Sequence, residues 1–314
     1  MVYSSDLRIS FESEGFPPRI GPAHGWNTLI TTWDEIIWAA LTIGRPSIAH
    51  VFQHGDASLH EALFRMSLVR MALQQEMFSG HLERSQVFQF LDPTEKGMIS
   101  YFLGMTFCKL FAHRFLHTPW LLHLDVFRHQ LNPAILSGRS RPDLVGQDTA
   151  GDWHAFESKG RSSTPNDEAK GKAKDQAQRL VQIGPSRCRL HIGAVAYFRA
   201  ERLEFYWRDP DPNTGEPFKA EIPGGAWRYY YEPALAISDP SGEESAARAD
   251  GLPGRGADVK VSIAPEIRES LELGEWDAAR RTAFENQADL VERGFFPDGL
   301  SVSCGPSWPN PFGG

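Results

Sequence analysis

Arg141-Pro142-Asp143-Leu144-Val145-Gly146, followed by Trp153-His154-Ala155-Phe156-Glu157-Ser158-Lys159-Gly160, is the stretch on which the reading of this chain turns. Two short segments of strand-forming character flank a turn containing Asp, Thr and Gly. On a strand, residues two apart share a face. Glu157 and Lys159 therefore project together, and Phe156 and Ser158 project the other way. If the segments pair as a hairpin, Asp143 comes beside Glu157, and two carboxylates and an ammonium occupy one small volume. The plain alternative is an exposed hairpin whose Glu157 and Lys159 form a solvated pair worth little. Against it, Trp153 to Phe156 is apolar on both faces, as an inner strand is. Charges at the end of such a strand are costly unless paired or used.

Two adjacent carboxylates repel, and a hard cation relieves the repulsion. Mg²⁺ prefers oxygen ligands and keeps several waters, so one or two protein carboxylates suffice. Asp143 and Glu157 are the candidate ligands, with the Ser158 carbonyl as a third. Lys159 is the candidate for orienting a water or stabilising charge that develops on a phosphoryl group.

Arg-Pro-Asp at 141–143 with Glu-Ser-Lys at 157–159 resembles the PD-(D/E)xK nuclease superfamily, which includes restriction-endonuclease-like and recombination nucleases. The resemblance covers roughly residues 92–200, a typical domain size. Asp143 matches the family aspartate, Glu157 the D/E position and Lys159 the lysine. The resemblance implies an α/β fold, a restriction-endonuclease-like αβββαβ core with a mixed sheet and the metal site on that sheet. It implies metal-dependent hydrolysis of phosphodiester bonds, most naturally in DNA and as an endonuclease, with Mg²⁺ as cofactor and Mn²⁺ able to substitute. Phage defence, restriction or repair are the roles it suggests. The first core helix of such nucleases often lends an acid, for which Glu95 is the candidate and Asp125, in the next strand, a second. A lysine or glutamine on the helix after the site often approaches the scissile phosphate, which points to Gln176. Some recombination nucleases follow that glutamine four residues later with tyrosine, whereas Leu180 stands here, so that submotif is half matched. A non-catalytic nucleic-acid-binding or scaffold protein retaining the fold is the alternative, and the intact Asp/Glu/Lys set argues against it.

The formal charge of −8 looks wrong for a protein that meets nucleic acid, but its distribution matters more than the sum. Residues 241 to 314 hold 13 acidic and 7 basic residues, while Ala155 to Leu190 holds 8 basic and 4 acidic. The basic stretch lies where a phosphate backbone would pass, with Arg161, Lys170, Lys172, Lys174 and Arg179 as candidate contacts. The longest apolar run, Ile36 to Ile43, is too short to span a bilayer, and no apolar leader opens the chain, which predicts a cytoplasmic protein. Cys108, Cys188 and Cys304 are too scattered for a disulfide framework. His113 and His117 sit four apart on one helix but lack a third zinc ligand. No phosphate-cradling glycine loop with Lys-Ser/Thr is present.

Along the chain, residues 1–91 read as a helical region, with helices over Trp26 to Leu41 and Ser58 to Met77. Residues 92–240 read as the nuclease-like core. Asp92-Pro93-Thr94-Glu95 is a capping box opening a helix that stops before Pro119. Trp120 to Phe127 reads as a strand, Asp167 to Ile183 as a helix, and Arg189 to Phe198 and Leu203 to Trp207 as strands. Trp227 to Tyr231 reads as a strand packed on the core. Residues 241–257 read as a linker. Residues 258–314 read as two helices, Pro265 to Leu273 and Glu275 to Arg293, and a loose tail. A second copy of the chain or another protein binding the helical ends is a further expected partner.

Overall fold

The computed structural model describes residues 6–43, 57–127, 141–209, 218–238 and 258–309, and residues 7–31 correct the helical expectation. Leu7–Glu14 (β1) buries Leu7, Ile9 and Phe11 and turns Arg8, Ser10 and Glu12 outward, the period of two of a half-covered strand. It pairs antiparallel with Gly25–Thr31 (β2). Trp26 therefore lies in a strand. Helix begins only at Trp33–Thr42 (α1), where the Thr32 side chain accepts the Glu35 N–H. Next come Ala57–Ala72 (α2), the short strands Leu73–Gln75 (β3) and Leu82–Arg84 (β4), and Gln86–Phe90 (α3). The helix expected to reach Met77 ends five residues earlier, at β3.

The capping box is present as expected. Asp92 accepts the N–H groups of Thr94 and Glu95, and Glu95 accepts the Asp92 N–H at 3.0 Å. It opens Pro93–Leu116 (α4), which ends at His117 in the left-handed conformation ahead of Pro119. Trp120–His123 (β5) follows. The strand is shorter than expected, because Leu124–Phe127 is a 3₁₀ turn. Leu144–Gln147 (β6) and Trp153–Arg161 (β7) form the hairpin. Asp167–Ala177 (α5) stops six residues short of the expected end, since Leu180–Ile183 is strand (β8). Ser186–Arg199 (β9) and Arg202–Arg208 (β10) close the run.

Phe218–Ala220 (β11) precedes Arg228–Ile237 (α6). The aromatic run 227–231 thus starts a helix rather than a strand, and Tyr230 and Tyr231 are fully buried. The segment expected to be a linker, 241–257, lies outside the described residues. Beyond it, Val259–Ile263 (β12) and Leu300–Cys304 (β13) pair antiparallel around three helices, Pro265–Glu272 (α7), Trp276–Glu285 (α8) and Gln287–Glu292 (α9). The C-terminal region is therefore helix and hairpin. Its tail is tied down as far as Trp308, which is buried against Trp33.

The sheet runs β2-β1-β10-β9-β7-β6-β5, with β1/β10 and β7/β9 parallel and the other neighbours antiparallel. The fold is mixed α/β. Within it, α4 leads into a three-stranded antiparallel meander, β5-β6-β7, and α5 crosses over to β9, which lies parallel to β7. One face of β7 meets α4 so closely that a Cβ on Gly160 would stand 1.6 Å from the Ser100 carbonyl oxygen. The opposite face carries Glu157 and Lys159. It continues over Val195, Tyr197 and Tyr206, on which Ala173 of α5 packs.

A buried polar knot ties the C-terminal region to this core. Lys109 Nζ donates to the Pro119 carbonyl at 2.8 Å and to Tyr230 Oη at 2.7 Å, and it lies 4.4 Å from the centre of the Trp38 ring. Asp298 accepts from Trp38 Nε1 at 2.8 Å and from the Tyr230 hydroxyl at 2.5 Å. Lys109 and Asp298 are both fully enclosed. Burial lowers the ammonium pKa and raises that of the carboxyl, and each offsets part of the shift of the other.

Candidate metal centre

The register of the hairpin builds the site. Leu144 pairs with Phe156. Continued one and two steps further out, the same register sets Asp143 opposite Glu157 and Pro142 opposite Ser158. Asp143 Oδ2 accepts the Ser158 N–H at 3.0 Å, which holds the carboxylate across the mouth of the hairpin. Glu157 is buried although it is ionisable, because β7 is flanked by β6 and β9 and covered on both faces. Glu157 Oε1 accepts from Lys159 Nζ. Glu157 Oε2 is buried and has no hydrogen-bond partner among the described residues. The Lys159 side chain keeps 30% of its surface in solvent, against 1% for Glu157.

Electrostatics follow from this packing. Burial, and then the neighbouring Asp143 charge, push the Glu157 carboxyl up to about 8, with Lys159 pulling the other way. Asp143 is also raised, first by burial and further by Asp125, while Lys159, the Ser158 N–H and Arg141 lower it. Both carboxylates therefore sit where negative charge is disfavoured, and an added cation would be welcome.

The Ser158 carbonyl completes an oxygen set. The N–H and C=O of one strand residue point to the same side, so this carbonyl faces the side on which Asp143 lies. The residue opposite is Pro142, which has no N–H to offer it. Two carboxylates and one carbonyl at the end of a strand pair are the kind of donors that Mg²⁺ takes. Among the described residues no group of three or more His, Cys, Asp and Glu side chains is placed to hold a metal.

Asp143, Glu157, Ser158 and Lys159 thus stand together. The other expected residues do not all join them. Glu95 is exposed, and its carboxylate closes the helix cap, the structural role weighed for it from sequence. Asp125 is near, but its carboxylate is held by Arg141, with Nε at 2.7 Å. Gln176 is half-buried on α5. Lys170 is engaged with Glu12 at 3.0 Å and lies over the Tyr206 ring. Lys172 is exposed and paired with Glu168 one turn away. Arg161 is exposed at the end of β7, and Arg179 is half-buried. The Lys174 side chain lies outside the description.

Two residues on the α4 face of the sheet, opposite the face of Glu157 and Lys159, escaped the sequence reading. Tyr101 on α4 and His123 at the end of β5 are joined, Oη to Nε2, at 3.2 Å. His123 Nδ1 accepts the Asp125 N–H at 3.3 Å, and the Leu124 N–H donates to the Asp143 carbonyl at 2.8 Å. Burial holds His123 down at about 4, so the ring is neutral near pH 7. No local motif marks this pair, and only the β5–β6 pairing brings it to Asp143.

No family model, no curated protein and no solved structure matches this chain. No helix among the described residues is long and apolar enough to cross a membrane.

Proposed function

We propose that this chain is a metal-dependent nuclease that hydrolyses phosphodiester bonds in DNA, cutting as an endonuclease, with Asp143, Glu157 and the Ser158 carbonyl as ligands of Mg²⁺ or Mn²⁺. The observation that carries this reading is the buried, unpartnered Glu157 Oε2 beside a second carboxylate. A buried anionic oxygen without a donor costs stability, and a cation is the counter-charge that such a geometry accepts. The order α4-β5-β6-β7-α5-β8-β9, with β9 parallel to β7, supports a restriction-endonuclease-like core.

A bound divalent ion supplies a water of lowered pKa and positive charge for a phosphoryl oxygen. Asp143 is held in place by the Ser158 N–H and needs little reorganisation to serve as a ligand. Lys159, more exposed than Glu157, is the candidate for orienting the attacking water or balancing charge on the pentacoordinate phosphorus. The water oxygen bonds to phosphorus and releases a proton to solvent, the bond from phosphorus to the leaving sugar oxygen breaks, and that oxygen takes up a proton from solvent. Arg161 and Lys172 offer phosphate contacts at the rim, while Lys170 serves first to fasten α5.

Cleavage of linear and circular DNA with Mg²⁺, Mn²⁺ and EDTA tests this, using wild type, Asp143→Ala and Lys159→Ala. Metal-dependent cutting by wild type that both variants lack supports the reading. Binding of DNA without cutting, unchanged in the variants, replaces it with a non-catalytic nucleic-acid-binding function.

A further inference from the structure

We propose that the free edge of β2 pairs with the same strand of a second copy of this chain, antiparallel about a two-fold axis at Thr28, so that the two copies share one continuous sheet. This pairing is independent of the nuclease reading.

Backbone direction identifies the edge. In a strand the N–H and C=O of one residue point to the same side. The Arg8 N–H donates to the Gly80 carbonyl at 2.8 Å, and the Glu14 carbonyl accepts the Asp209 N–H at 3.1 Å, so the even-numbered residues of β1 turn towards β10 and its neighbour β4. Arg8, Ser10 and Glu12 stand opposite Ile30, Thr28 and Trp26. Those three residues of β2 therefore turn their backbone groups away from β1, off the end of the sheet. Arg114 Nη2 reaches the Ile30 carbonyl there at 3.2 Å. Among the described residues nothing bonds to the backbone N–H and C=O of Trp26 and Thr28.

Open edges are usually blunted by a charge, a proline or a bulge. Gly25–Thr31 carries no charge and no proline, and its register with β1 is unbroken. Its exposed side chains are apolar towards both ends, with Trp26 50% and Ile30 46% in solvent. The Arg199 guanidinium lies 5.1 Å from the centre of the Trp26 ring, which positions the indole before a partner arrives.

The pattern is its own complement, which selects a second copy over an unrelated strand. With the axis at Thr28, that residue meets the partner's Thr28, and Trp26 meets the partner's Ile30 on the same face. An aromatic directly opposite a β-branched residue is a favourable cross-strand pair, and no like charges face each other. Both half-exposed apolar side chains are covered at once, and the outward N–H and C=O groups bond reciprocally. Beyond Ile30 the edge opens into a cleft of about 430 Å³ lined by Thr32, Asp34, Glu35, Arg114, Phe295 and Phe296. Ala23 and His24, which lead into β2, are exposed. The register carries the partner's Ala23 and the partner's His24 to this cleft, which has room for them and offers the Asp34 and Glu35 carboxylates to an imidazole.

Light scattering across a range of concentrations tests this with wild type, Thr28→Pro, Thr28→Lys and Thr28→Glu, with urea unfolding at a dilution where all are monomeric. Wild type should be a dimer. Thr28→Pro removes only an outward N–H, since that position makes no ladder bond to β1, and should weaken the dimer about a hundredfold or more with little change in the unfolding midpoint. Thr28→Lys and Thr28→Glu set like charges against each other and should each be monomeric. An equimolar mixture of the two should dimerise, because opposite charges then face each other across the axis. That recovery is particular to an axis through position 28. A monomeric wild type, a dimer that the variants leave intact, or charge variants that stay monomeric when mixed each overturn the pairing and leave the nuclease reading untouched.

Discussion

Continuing the β6–β7 register two residues past its last pair, Leu144–Phe156, sets Pro142 opposite Ser158. Any other residue there would have an N–H that could extend the ladder and occupy the Ser158 carbonyl. Proline cannot, so the hairpin opens where the candidate metal ligands converge. Asp143, the next residue, takes the Ser158 N–H with its side chain instead.

Replacing Pro142 by Ala should therefore restore a donor to the Ser158 carbonyl. Mg²⁺ affinity is expected to weaken about threefold to tenfold. Stability should change by no more than about 1 kcal/mol, the usual scale for gaining chain freedom in the unfolded state. Calorimetric Mg²⁺ titration and urea unfolding check the two halves separately. Unchanged affinity would remove the carbonyl from the ligand set.

What could be read from sequence follows the range of the interactions involved. The hairpin, the Asp92 capping box and strands β9 and β10 depend on residues a few positions apart, so their patterns were visible. Strand β1 was missed because Leu7, Ile9 and Phe11 alternate over one short span that looks merely polar. Trp26 and Ile30 were drawn into a helix by the apolar density of α1, although Thr32 marks the true start. Tyr229 to Tyr231 have strand-forming side chains, but tertiary burial of Tyr230 and Tyr231 overrides that propensity and the segment is helical. The Asp143, Glu157 and Lys159 cluster was legible because strand periodicity alone brings those side chains together. Tyr101 and His123 lie 22 residues apart, and only the packing of α4 on β5 joins them.

Gly160 is where α4 touches β7. A Cβ there would overlap the Ser100 carbonyl oxygen at 1.6 Å, and backbone cannot rotate away as a side chain can. Gly160→Ala should cost about 3 kcal/mol or more and displace the strand end that carries Lys159. A fall in urea midpoint with unchanged m-value is the expected result. A stable, fully active Gly160→Ala protein would contradict this packing.

Lys109→Met removes the cation that, among the described residues, offsets the charge of the enclosed Asp298. The carboxylate keeps its Trp38 and Tyr230 donors but loses its counter-charge, and the Pro119 carbonyl loses a donor. A loss of about 3–5 kcal/mol is expected, the scale for breaking a buried charge network on one side. Adding Asp298→Asn should recover part of it, because the remaining buried group is then neutral. Denaturant unfolding of both single variants and the double variant measures the coupling.

On α5 the two lysines should separate cleanly. Lys172 is an exposed partner of Glu168, so Lys172→Ala should change stability by less than about 0.5 kcal/mol. If it contacts phosphate, the slope of log affinity against log salt should shrink by about one. Lys170→Ala removes the Glu12 pair and the contact over Tyr206, and should cost about 1 kcal/mol of stability. The reverse order of stability effects would mean that α5 is docked differently.

Glu157 gives the pH dependence. Its carboxyl is raised from the ordinary 4.5 to about 8 in the fold, so the folded state holds a proton that the unfolded state has already released. Between about pH 4.5 and 8 the native protein binds more protons, and the stability of the metal-free protein should fall as pH rises through that window, then level off. The total is on the order of 5 kcal/mol. Glu157→Gln should abolish this fall and make the metal-free protein more stable than wild type at pH 8, while removing metal-dependent cleavage. Mg²⁺ should stabilise wild type increasingly towards pH 8, because it binds the deprotonated pair, and should leave Glu157→Gln nearly unmoved. Thermal melts of both proteins with EDTA and with Mg²⁺ from pH 5 to 8.5 provide the comparison. A wild-type melting profile that rises with pH in EDTA, parallel to that of the variant, would show that Glu157 carries no buried charge penalty.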